Sequence, residues 1–387
     1  MHSVAIGRVQ RSEPYWRGAA GLLGAIAAAA FALSPGLDLK LLLATAGGFN
    51  AAAFGGDVTV RSAGTSTVFG GYLLTLTLLG LSVGAVAFRR RSLSRAGLGI
   101  RPETPLWLAA FMQTMRLSIV FGVLQAVTAF VLRIEIDSPV IFGETGRISS
   151  QAAVPGFLGF LFMAVTLCLV IIMRGEELPQ WLMRASQILW TPILIVRRVI
   201  VGAMALTLVG MAIIIGTGGG FFQRASATMA LLALPNFTVD GLALGTGAGL
   251  QANGEGFAGF PGLGQSSEKV HVSDLVDGSS AWYWAVPIAT LVIFTTIAVL
   301  CAVYSDSATN ARKTALQTLV VTTVATPFAA HLATVHIDAR AVGSGLGSFG
   351  PDWAMMFLLV LTWMLGVAIV SGAIAMTRSA NRARHEG

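Results

Sequence analysis

The sequence predicts an all-α polytopic membrane protein with about eight transmembrane helices and both termini in the cytoplasm. Its 387 residues are 55% hydrophobic and 11% charged, with a mean hydropathy of +0.76. Soluble domains carry about 25% charged residues. Long apolar stretches recur along the chain, and flanks rich in arginine alternate with flanks poor in positive charge. Because Lys and Arg collect in cytoplasmic loops, this alternation predicts the orientation as well as the class.

The predicted spans follow one another in the order of the chain. They cover residues 18–33, 68–88, 105–132, 156–173, 199–216, 282–304, 314–335 and 353–376, and Pro327 is expected to break the seventh. The first is short and resembles a signal peptide, but we expect it to stay as an anchor, as most polytopic proteins keep their first helix. Residues 174–198 mix Trp181 and Trp190 with four arginines, which predicts a cytoplasmic interfacial helix leading into the fifth span.

The positions of the 25 basic residues support this topology. Seventeen lie in segments expected in the cytoplasm, including 89–104, 174–198 and 305–313, and seven lie in segments expected outside. A span at 226–248 would reverse the later segments and damage this bias. Residues 217–281 are therefore predicted to be one long extracytoplasmic or re-entrant segment. Arginine supplies 22 of the 25 basic residues, and Ala and Gly are abundant, which is typical of a GC-rich bacterial genome. The location expected is therefore a bacterial cytoplasmic membrane.

A glycine-rich stretch at 216–264, between the fifth and sixth spans, is the most unusual part of the chain. It contains thirteen glycines, and its apolar blocks are shorter than the roughly 20 residues that a spanning helix needs. Irregular backbone at membrane depth must be buried in protein or line a wet cavity. The pattern predicts a re-entrant hairpin at about 225–250. Gly241, Gly245 and Gly249 recur every fourth residue, which predicts a small-residue seam along one helix face.

Two polar positions in this hairpin, Asn236 and Asp240, are candidate ligand residues. They follow Pro235, which is able to start a helix whose N-terminal N–H groups would favour an anion. The alternative is that both side chains cap and turn the chain.

Three further candidate site residues lie in predicted spans. Arg116 is the one charged residue inside a predicted span; it either binds an anion or lipid phosphate, or snorkels to the headgroups. Thr322 and Thr326 continue a fourfold series from Thr314, which either lines a polar path or bonds back to helix carbonyls.

The sequence predicts no enzyme, no cofactor and no metal site. Walker A, G-x-S-x-G, H-E-x-x-H and Rossmann fingerprints are all missing from it. Cys168 and Cys301 lie in apolar segments, as small buried hydrophobes do. The net charge of +7 follows the membrane topology, so no nucleic-acid partner is expected.

The whole chain, 1–387, is predicted to be a single integral membrane domain. The first and fifth spans each run outward into a glycine-rich loop, and three spans follow each loop. This layout permits a four-plus-four repeat with halves 1–188 and 189–387 in parallel orientation, although the two halves share no motif that aligns by eye.

Leu234-Pro235-Asn236, followed by GLALGTGAG at 241–249, resembles a signature of actinobacterial hydrophobic membrane proteins. These include the streptophobe-type proteins and relatives linked to cell division or envelope maintenance. The resemblance covers the span layout and this one motif of 16 residues. It implies an actinobacterial source and an envelope role, and the family offers no established substrate or catalytic residue to transfer.

Two functions are therefore expected from the sequence. The first is a non-enzymatic integral membrane protein that supports the cell envelope through lipid or through membrane and envelope protein partners. The second is a small-solute or ion transporter or channel with its site in the glycine-rich hairpin. Proton-coupled pumps usually carry intramembrane carboxylates, and no Asp or Glu falls within a predicted span.

Single-cysteine labelling in a background lacking Cys168 and Cys301 checks the topology. A cysteine at Thr309, in a predicted cytoplasmic segment, should react with an impermeant maleimide only after the cells are opened. Labelling of that position in intact cells would rule out the eight-span arrangement.

Overall fold

The computed structural model of the chain describes most of the sequence beyond residue 50. The described residues are 51–62, 65–74, 76–78, 81–82, 85, 105–131, 134–137, 145–150, 152–174, 179–216, 233–253, 268–278, 284–339 and 345–386.

Helices make up most of this part of the chain. They are α1 (Leu106–Val131), α2 (Ala153–Arg174), α3 (Gln180–Gly216), α4 (Leu234–Thr246), α5 (Val272–Gly278), α6 (Ala285–Val303), α7 (Ala308–Ala333) and α8 (Trp353–Glu386). Among the described residues, six helices are long and apolar enough to cross a membrane: α1, α2, α3, α6, α7 and α8. They correspond in order to the third through eighth predicted spans. The chain is thus a mostly helical protein of the membrane class.

The first two predicted spans are tested less fully. Residues 18–33 lie outside the described residues. In the second, residues 68–70 belong to a strand, and helical structure is described at 74, 76–78, 81, 82 and 85. The count of eight spans and the cytoplasmic position of both termini remain predictions.

The predicted interfacial segment leads into the fifth span without a break, because α3 runs for 37 residues and contains Pro192. The predicted break at Pro327 is wrong, because helix α7 continues through this residue to Ala333. A proline removes one intrahelical hydrogen bond, which a long, packed helix tolerates.

The all-α prediction missed a set of short antiparallel strands. They are β1 (Val58–Ser62), β2 (Thr65–Gly70), β3 (Ile134–Asp137), β4 (Thr145–Ser150), β5 (Leu250–Asn253), β6 (Glu268–Val270), β7 (Val335–Ala339) and β8 (Gly345–Pro351). Strand β1 pairs with β2 and β4, while β5 pairs with β6 and β8. Most of them lie in segments predicted as outer loops, and β2 enters the second predicted span.

The chain divides into two compact units. Unit 1 comprises 1–183, 219–233 and 336–345, and unit 2 comprises 184–218, 234–335 and 346–387.

In unit 1, helices α1 and α2 pack closely together. A Cβ added to Gly122 of α1 would lie 2.6 Å from the carbonyl oxygen of Gly156 in α2, so the two backbones approach through glycine. The Phe54 ring meets the Phe121 ring edge-on, with 5.5 Å between the centroids. A buried cluster forms around this pair and includes Met163 and Leu167.

In unit 2, the core lies among α3, α4, α6, α7 and α8. Ile195, Cys301 and Met364 are fully buried in it, and the Phe294 ring stacks on Trp363 with 5.1 Å between the centroids. Large apolar side chains that are exposed also line the candidate spans of both units, for example Ile369 at 70% and Val123 at 56%. Such surfaces are typical of helices that face lipid, since soluble proteins rarely expose extensive apolar area.

The N-terminus of α8 is fixed by Asp352, which caps the helix and forms an ion pair. Asp352 precedes the first residue of α8, and its Oδ1 accepts a hydrogen bond from the Met355 N–H at 3.2 Å. Its Oδ2 lies 2.6 Å from Lys269 Nζ on β6. Burial raises the pKa of Asp352, but hydrogen bonds from Lys269 and from the Met355 and Ala354 N–H groups outweigh burial and hold this pKa below its ordinary value.

Replacing Asp352 with Asn should keep the cap and remove the ion pair, because Asn is an equally good N-cap residue. We expect a loss of about 1 kcal/mol, since Lys269 is half exposed and solvent screens the pair. A depressed carboxyl pKa stabilises the fold above the unfolded-state pKa, and this contribution disappears as the pH falls through the folded-state pKa. Thermal unfolding in detergent should therefore separate the wild type from Asp352→Asn at pH 7, and the difference should shrink as the pH falls below about 4. A difference that stays constant over this range would contradict the assignment.

Candidate functional site around helix α4

Helix α4 is the described core of the predicted hairpin. It has 13 residues, so it is about 20 Å long and shorter than the roughly 30 Å hydrocarbon core of a bilayer. Pro235 stands in its first turn, where a missing N–H costs nothing. Seven of its residues are buried, including Asn236, Ala243 and Gly245.

Glycine ends α4 by a Schellman turn. Gly247 has a φ of +94°, which side chains other than glycine rarely adopt. The Ala248 N–H donates to the Ala243 carbonyl at 2.9 Å, and the Gly247 N–H donates to the Leu244 carbonyl at 3.1 Å. Two carbonyls that the helix end would leave unpaired are satisfied in this way. The chain then enters β5 at Leu250.

The tightest contact of α4 is with α6. A Cβ added to Gly245 would overlap the Thr290 hydroxyl, would lie 2.8 Å from Thr290 Cβ and would lie 3.0 Å from the Val286 carbonyl oxygen. Thr290 is itself buried. Only glycine fits at position 245 without moving α6.

Two polar side chains connect α4 to other helices of the same unit. Asn236 Nδ2 donates to the carbonyl oxygen of Leu332 at 3.3 Å. This carbonyl is in the last turn of α7, where helix carbonyls have no intrahelical partner. The hydroxyl of Thr238 lies 3.1 Å from that of Thr207 on α3. Asn236 therefore pairs a carbonyl at the end of α7, whereas the predicted alternative was a cap or turn within its own segment.

Asp240 is the chemically unusual residue of α4. Its Oδ1 is buried and has no hydrogen-bond partner in the described part of the chain. Burial raises the pKa of the Asp240 carboxyl to about 7, because a charged carboxylate is poorly solvated there. Near neutral pH this group is able to hold or release a proton.

The predicted glycine seam is wrong in two of its three members. A Cβ at Gly241 would meet no atom within 4 Å. Gly249 lies beyond the helix end, has a φ of +78° and approaches the ring of His271. Fourfold spacing aligns residues only while the helix continues, and α4 ends at Thr246.

The remaining predicted site residues lie on α1 and α7. Arg116 belongs to α1 in unit 1 and is exposed. The hydroxyls of Thr322 and Thr326 donate to carbonyls one turn earlier in α7, at 2.9 and 2.7 Å. This backbone bonding is the second of the alternatives given for the threonine series.

Sequence reasoning missed Thr290, Thr207 and Asp352. The first two are single threonines within apolar helices, and no local pattern marks them. Asp352 had a signal, because an aspartate directly before an apolar run is a typical helix N-cap. No group of three or more His, Cys, Asp or Glu suited to a metal occurs among the residues that were described.

No family model, curated protein or solved structure matched this chain. The function is therefore inferred from the residues around α4.

Replacing Gly245 with Ala tests the contact between α4 and α6. The added methyl group overlaps Thr290, so we expect a loss of roughly 1–3 kcal/mol from overpacking. The matched control is Gly241→Ala in the same helix, where the space is open and alanine should be neutral or stabilise by up to about 1 kcal/mol. The measurement is thermal stability in detergent. Equal melting temperatures for the two variants would show that α4 does not pack on α6 in this way.

Proposed function

We propose that this chain is a non-enzymatic integral membrane protein that supports a bacterial cell envelope through lipid or protein partners. The observation that carries the proposal is the packing of α4. The glycine-rich segment offered the best candidate for a transport site. Most of its described part is built into the helix core. An actinobacterial cytoplasmic membrane with both termini inside is part of the same proposal.

The use of polar groups in unit 2 supports this function. Hydroxyls at Thr318, Thr322 and Thr326 bond to carbonyls of their own helix, and Asn236 caps α7. Groups committed to the backbone are poor ligands for a passing solute, because each would have to break a hydrogen bond first. Their arrangement favours a structural role.

A basic rim at one end of α6 supports a lipid partner. Arg198 of α3 lies over the Tyr304 ring, 5.3 Å from its centroid, and also donates to the Tyr304 hydroxyl. Arg378 of α8 lies 3.4 Å from the Val303 carbonyl oxygen. Exposed cations beside apolar helices attract anionic headgroups, by about 1 kcal/mol for each residue near the surface.

A small-solute or ion transporter is the second candidate, and Asp240 favours it. A buried carboxyl with an unpaired oxygen is costly to keep for structural reasons alone. Ionisable groups at membrane depth often belong to ion or proton pathways. This carboxyl lies on α4, outside all the predicted spans, so counting acidic residues within spans did not find it.

The variant Asp240→Asn separates the two functions, because it keeps the shape of the side chain and removes its charge. For an envelope-supporting protein, deletion of the gene should make cells permeable to an impermeant DNA dye. Wild type and Asp240→Asn should then restore the barrier equally. The control variant Gly245→Ala should restore it less well, because the fold is weakened. Both variants are compared at matched membrane levels.

A transporter gives a different result in the same experiment. Asp240→Asn would then accumulate and melt like wild type but fail to restore the cells. Proteoliposomes that contain a pH-sensitive dye would show a proton or solute flux lost in Asp240→Asn. That combination would overturn the proposed function.

A further inference from the structure

We infer that the chain is a tandem duplication, in which residues 51–174 and 243–375 are two copies of one unit. The elements follow the same order in both. A helix end is followed by two strands, a helix, a long helix, two more strands and a final long helix. The first copy contains β1 to β4 with α1 and α2, and the second contains β5 to β8 with α6, α7 and α8. Helix α5 is an insertion in the second copy.

The turn that opens each copy is built in the same way. In the first copy the Gly56 N–H donates to the Ala51 carbonyl at 2.8 Å, and Gly55 has a φ of +70°. In the second copy, Ala248 donates to Ala243 and Gly247 has the positive φ. In each case a strand begins two residues after the donor of this hydrogen bond, at Val58 and at Leu250.

The strands pair in equivalent registers. Val58 is opposite Phe69 in β2 and opposite Ser150 in β4. Leu250, its equivalent, is opposite Val270 in β6 and opposite Pro351 in β8. Phe69 and Val270 are 201 positions apart, and so are Ser150 and Pro351. Leu250 follows Val58 by 192 positions, and a shift of one residue in β6 or in β8 alone would make the two partner spacings differ.

The same spacing of 201 aligns the buried faces of the long helices. Four buried positions of α1 recur in α7 as the pairs Ala110/Ala311, Thr114/Ala315, Gln125/Thr326 and Ala129/Ala330. Four buried positions of α2 recur in α8 as Pro155/Met356, Gly159/Val360, Met163/Met364 and Leu167/Ala368. Other positions differ in burial. Ser118, Phe121 and Gly122 are buried where Leu319, Thr322 and Thr323 are half-buried, Thr318 is buried where Leu117 is half-buried, and buried Ala164 is opposite exposed Leu365. Each residue turns a helix by about 100°, so the matched positions place one buried face of each helix in the same orientation.

A threonine contact is repeated as well. In the first copy the Thr77 hydroxyl donates to the carbonyl oxygen of Ala53. In the second copy Thr290 packs on Gly245, which is two residues before the positive-φ glycine, just as Ala53 is. Both threonines are buried. General amphipathicity does not produce a recurring contact between two separate helices, whereas duplication does.

Spin-label distances in the full chain test the inference. One pair of labels at Val127 and Leu169 reports on the first copy, and the equivalent pair at Phe328 and Val370 reports on the second. All four side chains are exposed, so the labels should not disturb packing in a background lacking both cysteines. Two copies of one unit should give the same mean distance. A control pair, Phe328 with Leu358, moves one label by 12 residues, roughly 18 Å along α8, and should give a clearly different distance.

A second equivalent set, Ile119 with Phe157 and Val320 with Leu358, guards against a labelled variant that fails to fold. Agreement in both sets supports the duplication. A difference larger than one helical turn, about 5 Å, in either set of folded variants would overturn it. The result is independent of whether the protein supports the envelope or transports a solute.

Discussion

The structure depends on satisfying the backbone polar groups at buried helix ends. A buried N–H or C=O without a hydrogen-bond partner costs free energy, so a short, largely buried helix needs partners at both ends. Helix α4 meets this requirement at its C-terminus with the Schellman turn at Gly247. Asn236 of α4 also donates a hydrogen bond to the Leu332 carbonyl near the end of α7. The glycine-rich character of this region follows from that requirement and from the close contact at Gly245.

Much of the helical layout was predictable because an apolar stretch of sufficient length has few alternatives to a spanning helix. Helices α1 and α6 agree with their predicted spans to within a few residues. Hydropathy does not locate helix ends, however. Helix α7 begins at Ala308, six residues before its predicted span, because Ser307 caps it by accepting a hydrogen bond from the Asn310 N–H. The strands were missed because they are only three to seven residues long and lie in glycine-containing segments, where alternation is too brief to detect.

Sequence reasoning indicated the segment of α4 but not its contacts. Glycine density pointed to this segment, yet sequence spacing grouped Gly241 and Gly249 with Gly245, and of these three only Gly245 meets α6. The partner Thr290 lies 45 positions along the chain, and its role depends on tertiary packing. The internal similarity was hidden for the same reason. Equivalent buried positions such as Thr114 and Ala315 share burial but not the residue type, so the similarity of the two copies is visible in the structure and not in the sequence.

The unbroken length of α3 gives this helix a mechanical property. At 1.5 Å for each residue its 37 residues extend about 55 Å, well beyond the hydrocarbon thickness. One rod thus joins the arginine- and tryptophan-containing segment near Trp181 to Thr207, which touches α4. Such a rod adapts to a thinner bilayer by tilting, and bending is easiest at Pro192, where an intrahelical hydrogen bond is missing. A tilt of α3 would therefore reach α4 through the contact between the Thr207 and Thr238 hydroxyls.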